Sequence, residues 1–183
     1  MTQLERQQRA LLDLIKKRGA PPEDVYLRQV ANSRQLTMVR EIAVWWRAFQ
    51  IEDQCRFTSR LLKRLECFED VVINYFNNHR TSPFIEELSQ DFLDSLRDHP
   101  DWLIRAVSQF ELALLKVRTN SAVCFEVLWD RNPDNLILAL EEHNPLPPPE
   151  IGCLYRMQIA RNLPRIVSCT REYTTHDRST SKE

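Results

Sequence analysis

Apolar residues recur every three or four positions from Leu4 to Val117, and after Asn120 they stop doing so. That switch constrains the fold more than any other feature. A period of 3.6 residues buries one face of a helix, whereas short β-branched and aromatic runs bury a strand. A chain that changes period once is α+β, here a mainly α-helical bundle with a small C-terminal β-α-β-β element. Two glycines in 183 residues argue against a loop-rich or all-β fold, and 43% hydrophobic residues suffice for a core. The length suits one domain. Residues 1–120 are expected to form the helical body, 121–172 a small α/β element packed on it in the same domain, and 173–183 a disordered tail.

The helix signals are local. Thr2-Gln3-Leu4-Glu5 has the S/T-x-x-E spacing of a capping box, so a helix starts there and carries Leu4, Leu11, Leu12 and Ile15 until Gly19, Pro21 and Pro22 stop it. Residues 23–32 fit a short helix or a turn. From Ser33 to about residue 50, Leu36, Val39, Ile42, Ala43, Trp46 and Phe49 repeat at helical spacing. Phe57, Leu61, Leu65 and Phe68 stripe the next helix, and "DVVINYFNNH" continues as helix to Asn77, Asn78 and His79. Ser82 and Pro83 predict a cap and a proline at the first position of a helix burying Phe84, Leu88, Phe92 and Leu96. Pro100 opens another in the same way, with Leu103, Ala106, Val107, Phe110, Leu114 and Val117 inward, and the short link makes the two an αα-hairpin.

The strand signals follow. "AVCFEVLW" at 122–129 is a strand by composition. Asn132-Pro133 caps a short helix with Leu136, Ile137 and Leu140, prolines at 145 and 147–149 end it in extended geometry, and 153–160 and 165–171 are two further strands. A sheet this small leaves an edge whose amides and carbonyls another chain can take, unless the helices cover it.

Most chemistry is excluded on motif grounds. There is no Gly-rich phosphate loop, no G-x-S-x-G elbow and no H-E-x-x-H pair. Cys55, Cys67, Cys124, Cys153 and Cys169 are odd in number and never at C-x-x-C spacing, which speaks against a disulfide framework or zinc knuckle. His79, His99, His143 and His176 are scattered and expected at surfaces or caps. Glu86/Glu87, Glu141/Glu142 and Asp98/Asp101 sit near helix ends, where solvation or dipole compensation explains them. No enzyme, metal or cofactor is expected. No apolar run spans a bilayer and no export signal opens the chain, so no membrane association and a cytoplasmic location are expected.

The charge is unevenly spread. Residues 1–64 carry 13 Lys and Arg against 7 Asp and Glu, and residues 65–183 carry 12 against 19. Arg56, Arg60, Lys63 and Arg64 form a cationic stripe opposite the apolar one, with Arg40 and Arg47 on the preceding helix and Trp45 and Trp46 nearby. Such a face binds an acidic partner surface or phosphates, or is a solvated face with the tryptophans in the core. Nothing identifies a recognition helix for base readout.

At "RLLKRLECFEDVVINYFNNHRTSPFIEELSQDFLDSL", "FELALLKVR" and "PLPPPEIGCLYRMQIARNLPRIVSC" the chain resembles a bacterial family labelled a DNA-binding domain, whose genes lie beside those for multinuclear non-haem iron-dependent oxidative enzymes. The resemblance runs from about residue 57 to 170, through Phe68, Tyr75-Phe76, Ser82-Pro83-Phe84, Asp91-Phe92-Leu93 and Phe110-Glu111-Leu112-Ala113-Leu114. It departs in the first 50 residues and in lacking a glycine near Glu66. It implies a non-catalytic, metal-free partner that binds an iron-dependent TIM-barrel enzyme and recruits a ribosomally made precursor peptide for modification. On that expectation the terminal sheet is the peptide-docking module, with Leu154, Arg156, Gln158 and the backbone of 154–160 as its edge. Arg40, Arg47, Arg56, Arg60, Lys63 and Arg64 would then be the partner or anionic surface. The alternative is a DNA-binding transcriptional regulator, and a third class is a scaffold that only stabilises its enzyme.

Overall fold

A computed structural model of the chain describes residues 2–15, 24–79, 84–119, 123–163 and 166–173. Among these, eight α-helices precede or interrupt a three-stranded antiparallel sheet: α1 (Gln3–Ile15), α2 (Val25–Ala31), α3 (Arg34–Gln54), α4 (Arg56–Arg64), α5 (Phe68–Asn78), α6 (Ile85–Ser95), α7 (Trp102–Thr119), β1 (Cys124–Trp129), α8 (Pro133–Glu142), β2 (Cys153–Ala160) and β3 (Val167–Tyr173). The expected α+β, mainly helical architecture is what folds. The chain divides into two compact units, Met1–Phe49 and Gln50–Glu183, with the boundary inside α3.

In the first unit the Thr2 box forms as its spacing predicts. The Thr2 amide donates to Glu5 Oε2 at 2.7 Å and the Glu5 amide to Thr2 Oγ1 at 3.2 Å. The stop at Gly19, Pro21 and Pro22 lies outside the described residues. The ambiguous stretch resolves into α2, because Asp24 accepts from the Leu27 amide at 3.1 Å and satisfies a free helix-end donor. Along α3 only Leu36 of the predicted stripe is buried in this unit. Val39, Ile42, Trp46 and Phe49 are exposed, as is Trp45 at 65%, so the tryptophans are not core residues.

In the second unit the predicted Phe57–Phe68 stripe is not one helix. Helix α4 ends at Arg64 with Leu65 as its C-cap, and α5 begins at Phe68. The Cys67 amide donates to Leu62 O at 3.0 Å and the Glu66 amide to Lys63 O at 3.1 Å, the crossed pair of a Schellman stop. That stop requires a left-handed residue, and Glu66 supplies it at φ 56°. Helix α6 starts at Ile85, two residues beyond Pro83, which itself lies outside the described residues, and Phe84 is exposed rather than buried. Helix α7 starts after Asp101, whose Oδ1 accepts from the Leu103 and Ile104 amides at 2.7 and 3.2 Å, so Asp101 is the cap and Pro100 lies before it rather than at the first helical position. The α6–α7 hairpin forms as expected, burying Leu88, Phe92 and Leu96 with Leu103, Val107 and Phe110.

The sheet is part of this same core. Its order is β1-β2-β3, with Val127 opposite Met157 and Trp129 opposite Tyr155, and Met157 opposite Cys169. Side-chain alternation puts Val127, Trp129, Tyr155, Met157 and Ile159 inward, all buried, against α7. Phe110 on α7 meets Phe57 of α4 on one side and Trp129 of β1 on the other, with ring centroids 5.9 and 5.8 Å apart. Burying rings of this size at about 25 cal/mol per Å² makes that column a principal tie between helices and sheet.

Candidate functional site

Each position singled out from the sequence has a definite place. Leu154, Arg156 and Gln158 share the outward face of β2, but β2 is the central strand, paired with β1 from Tyr155 to Ala160 and with β3 from Cys153 to Ile159. The expectation that the backbone of 154–160 is an open edge is therefore corrected. Its amides and carbonyls are spent on two ladders, because the third strand pairs beside β2 and not beside β1. Arg156 is engaged too: Nε and Nη2 donate to Glu172 at 2.7 and 3.2 Å and Nη1 donates to Glu126, a cross-strand clasp over all three strands. The guanidinium holds the Glu172 carboxyl below its ordinary value.

β1 and β3 are both outer strands, and β3 is the more exposed of the two. The Ala160 amide donates to Ile166 O at 2.9 Å, which makes these two a hydrogen-bonded pair of the antiparallel ladder. Alternation then turns the backbone of Ser168, Thr170 and Glu172 toward β2 and that of Cys169, Arg171 and Tyr173 away from it. No strand among the described residues pairs with those outward groups. The side chains from Ser168 to Tyr173 are all exposed, so neither face of the edge strand is packed over. At its C-terminal end Arg171 lies over the rings of Tyr155 and Tyr173 at 5.5 and 5.2 Å, and donates to Glu150 at 2.8 Å and to Cys153 Sγ at 3.3 Å. Tyr155 donates its hydroxyl to both Glu150 oxygens at 2.9 Å; burial and then that bond push its phenol up. This network fixes the rim of the edge.

The cationic residues are put to internal use. Helix α8 ends in Glu141 and Glu142, the wrong sign for the negative end of a helix, and its last turn carries no basic residue. Arg60 and Arg64 of α4 supply the charge. Arg60 Nη1 donates to Leu140 O at 3.3 Å, and Arg64 donates to Ala139 O at 2.9 Å and to Asn144 O. Arg40 does the same for α1, with Nε donating to Leu14 O at 3.1 Å. Lys63 pairs with Glu52 and lies over the Phe68 ring at 5.3 Å. Arg56 is exposed at the first position of α4, and Arg47 is half-buried on α3.

One residue the periodicity treated only as packing turns out to be polar chemistry. Glu111 on α7, 5% exposed, accepts from the Phe57 and Thr58 amides at 3.1 and 2.9 Å and so caps α4, whose own N-cap, Cys55, makes no side-chain capping bond and turns its thiol to Ser89 O instead. Burial pushes its carboxyl above the ordinary range against the opposing pull of those amides. The same burial, with the Glu111 charge, pushes the Cys55 thiol well up. A carboxylate in an otherwise apolar helix run, "FELALL", is the signal that marks it.

All five cysteines are free, and no group of three metal-ligating side chains occurs among the described residues. His79 and His143 are helix C-caps, as expected of isolated histidines. No helix among the described residues is long and apolar enough to cross a membrane. No family model matches the chain, and searches among curated proteins and solved structures found no match. The family resemblance thus rests on the quoted residues alone.

Proposed function

We propose that the chain is a non-catalytic partner protein that captures an extended peptide by strand addition at the outer edge of β3. On the resemblance over residues 57–170, the peptide is a ribosomally made precursor and the enzyme it is presented to is an iron-dependent oxidative TIM barrel. The observation that carries the reading is the seven-residue edge strand with backbone groups of Cys169, Arg171 and Tyr173 turned outward. Main-chain hydrogen bonds give affinity in this mode, and the flanking side chains give preference. The Arg171 and Tyr173 side chains stand on the same face of the sheet as Tyr155 and would flank an added strand on that side.

The DNA-binding alternative drew its support from the cationic stripe. Arg60 and Arg64 already serve as caps of α8 and Lys63 as the partner of Glu52, which takes most of that support away.

Titration of the labelled precursor peptide by fluorescence anisotropy tests the reading. Cys169→Pro removes an outward amide without touching a β2 bond, and edge strands tolerate proline at such positions. Affinity should fall at least about tenfold, the loss of one to two hydrogen bonds. N-methylation of alternate peptide amides should abolish binding in one phase and spare it in the other. Unchanged affinity in Cys169→Pro and in both methylated series would exclude strand addition here. A proline at Arg156 is no test, since it would break the central strand itself.

A further inference from the structure

The outer edge of β3 fits a second copy of itself, and we infer that the protein forms a twofold dimer by antiparallel β3–β3 pairing, joining two three-stranded sheets into one of six strands. This stands whether or not a peptide also uses the edge.

The backbone dictates which pairings are possible. Outward groups sit on the odd-numbered residues Cys169, Arg171 and Tyr173, so hydrogen bonds form only between odd residues of the two copies. Every register that sets an odd residue against an even one leaves both edges unbonded. Among the rest, centring the axis on Thr170 overlaps the full strand: Val167 faces the second copy's Tyr173, Ser168 its Glu172, Cys169 its Arg171, and Thr170 its Thr170. No like charges oppose one another. Moving the axis to Arg171 sets two guanidinium groups face to face, and moving it to Cys169 shortens the overlap to five residues.

The sequence of the strand is permissive in the same sense. "VSCTREY" has β-branched and aromatic residues at 167, 170 and 173 and lacks the proline, bulge or lysine by which exposed edges are usually blunted. In the Thr170 register the inward faces of both sheets lie on one side, and each Tyr173 packs on the second copy's Val167. The paired strands bury far less than the roughly 1,600 Å² of a standard interface, so the dimer is weak and concentration-dependent.

Sedimentation velocity on the full chain over a concentration series should show reversible dimerisation, absent in Cys169→Pro. Thr170→Cys gives the register directly. Non-hydrogen-bonded partners lie about 4.5 Å apart between Cα atoms, within disulfide reach, so oxidation should yield a dimer linked 170 to 170, identified by peptide mapping. Ser168→Glu places two carboxylates opposite the two copies of Glu172 and should raise the dissociation constant about tenfold, whereas Ser168→Lys should lower it. A chain that remains monomeric at the highest concentration reached, with Ser168→Lys equally monomeric, overturns the inference. A crosslink through Cys169 to Cys169 in place of 170 to 170 overturns the register.

Discussion

Replacing Glu111 with alanine removes the acceptor of two amides at the start of α4, and water cannot take its place, because Thr58 is 0% exposed and Glu111 itself 5%. Each buried donor left unpaired costs about 1–3 kcal/mol, and the lost methylenes add to that. Glu111→Ala should therefore cost about 3–4 kcal/mol. For a unit of this size that lowers the melting temperature by roughly 10 °C. Glu111→Gln keeps one acceptor oxygen and loses about half as much. The two variants also separate in pH. Burial raises the folded-state carboxyl above its unfolded value near 4.3, so the folded chain holds that proton more tightly than the unfolded one. The stability linked to the proton is complete below the unfolded value and is lost as pH rises through the folded one. Urea titrations from pH 4 to 7 should show wild type losing stability relative to Glu111→Gln across that window. A penalty under about 0.5 kcal/mol for Glu111→Ala would refute the capping argument, and a wild-type advantage that grows with pH would refute the raised carboxyl.

Glu66 occupies a left-handed position, so Glu66→Gly should stabilise the chain by about 0.5–1 kcal/mol, read from the urea midpoint at constant slope. His143→Gly, at φ 62° ending α8, should act in the same direction by a similar amount. Arg64→Ala should cost about 1–2 kcal/mol by freeing the Ala139 and Asn144 carbonyls, and Arg64→Lys should recover less than half, because an ammonium lacks the planar fork that reaches both. Charge reversal at Arg60 should likewise lower the melting temperature, and a mobility shift with duplex DNA at low salt should be absent in wild type and variant alike. Truncation after residue 121 should aggregate rather than leave a free scaffold, since it uncovers Phe110 and the face of α7 that packs on β1 and β2.

Where elements begin and end was legible locally. The Thr2 box, Asn132-Pro133 and the composition of 122–129 each name their element from a few neighbours, because caps and alternation act over one turn or one strand. The misplacements arise where another element intervenes: Leu65 to Phe68 is broken by a stop that glutamate disguises, and Phe84 lies on the surface despite its spacing. The cationic stripe of α4 was visible as a pattern but its use was not, since the carbonyls that Arg60 and Arg64 bind are some 75 to 81 residues away.

By itself the sequence determined that a helical body ends in a small sheet and that this sheet must have an edge, because periodicity and capping are properties of neighbouring residues. Only the tertiary structure decided which strands lie outermost and which of them is the more exposed. Strand order depends on which distant segments pair, and with β2 between β1 and β3 the open backbone passes from Arg156 to Cys169, Arg171 and Tyr173.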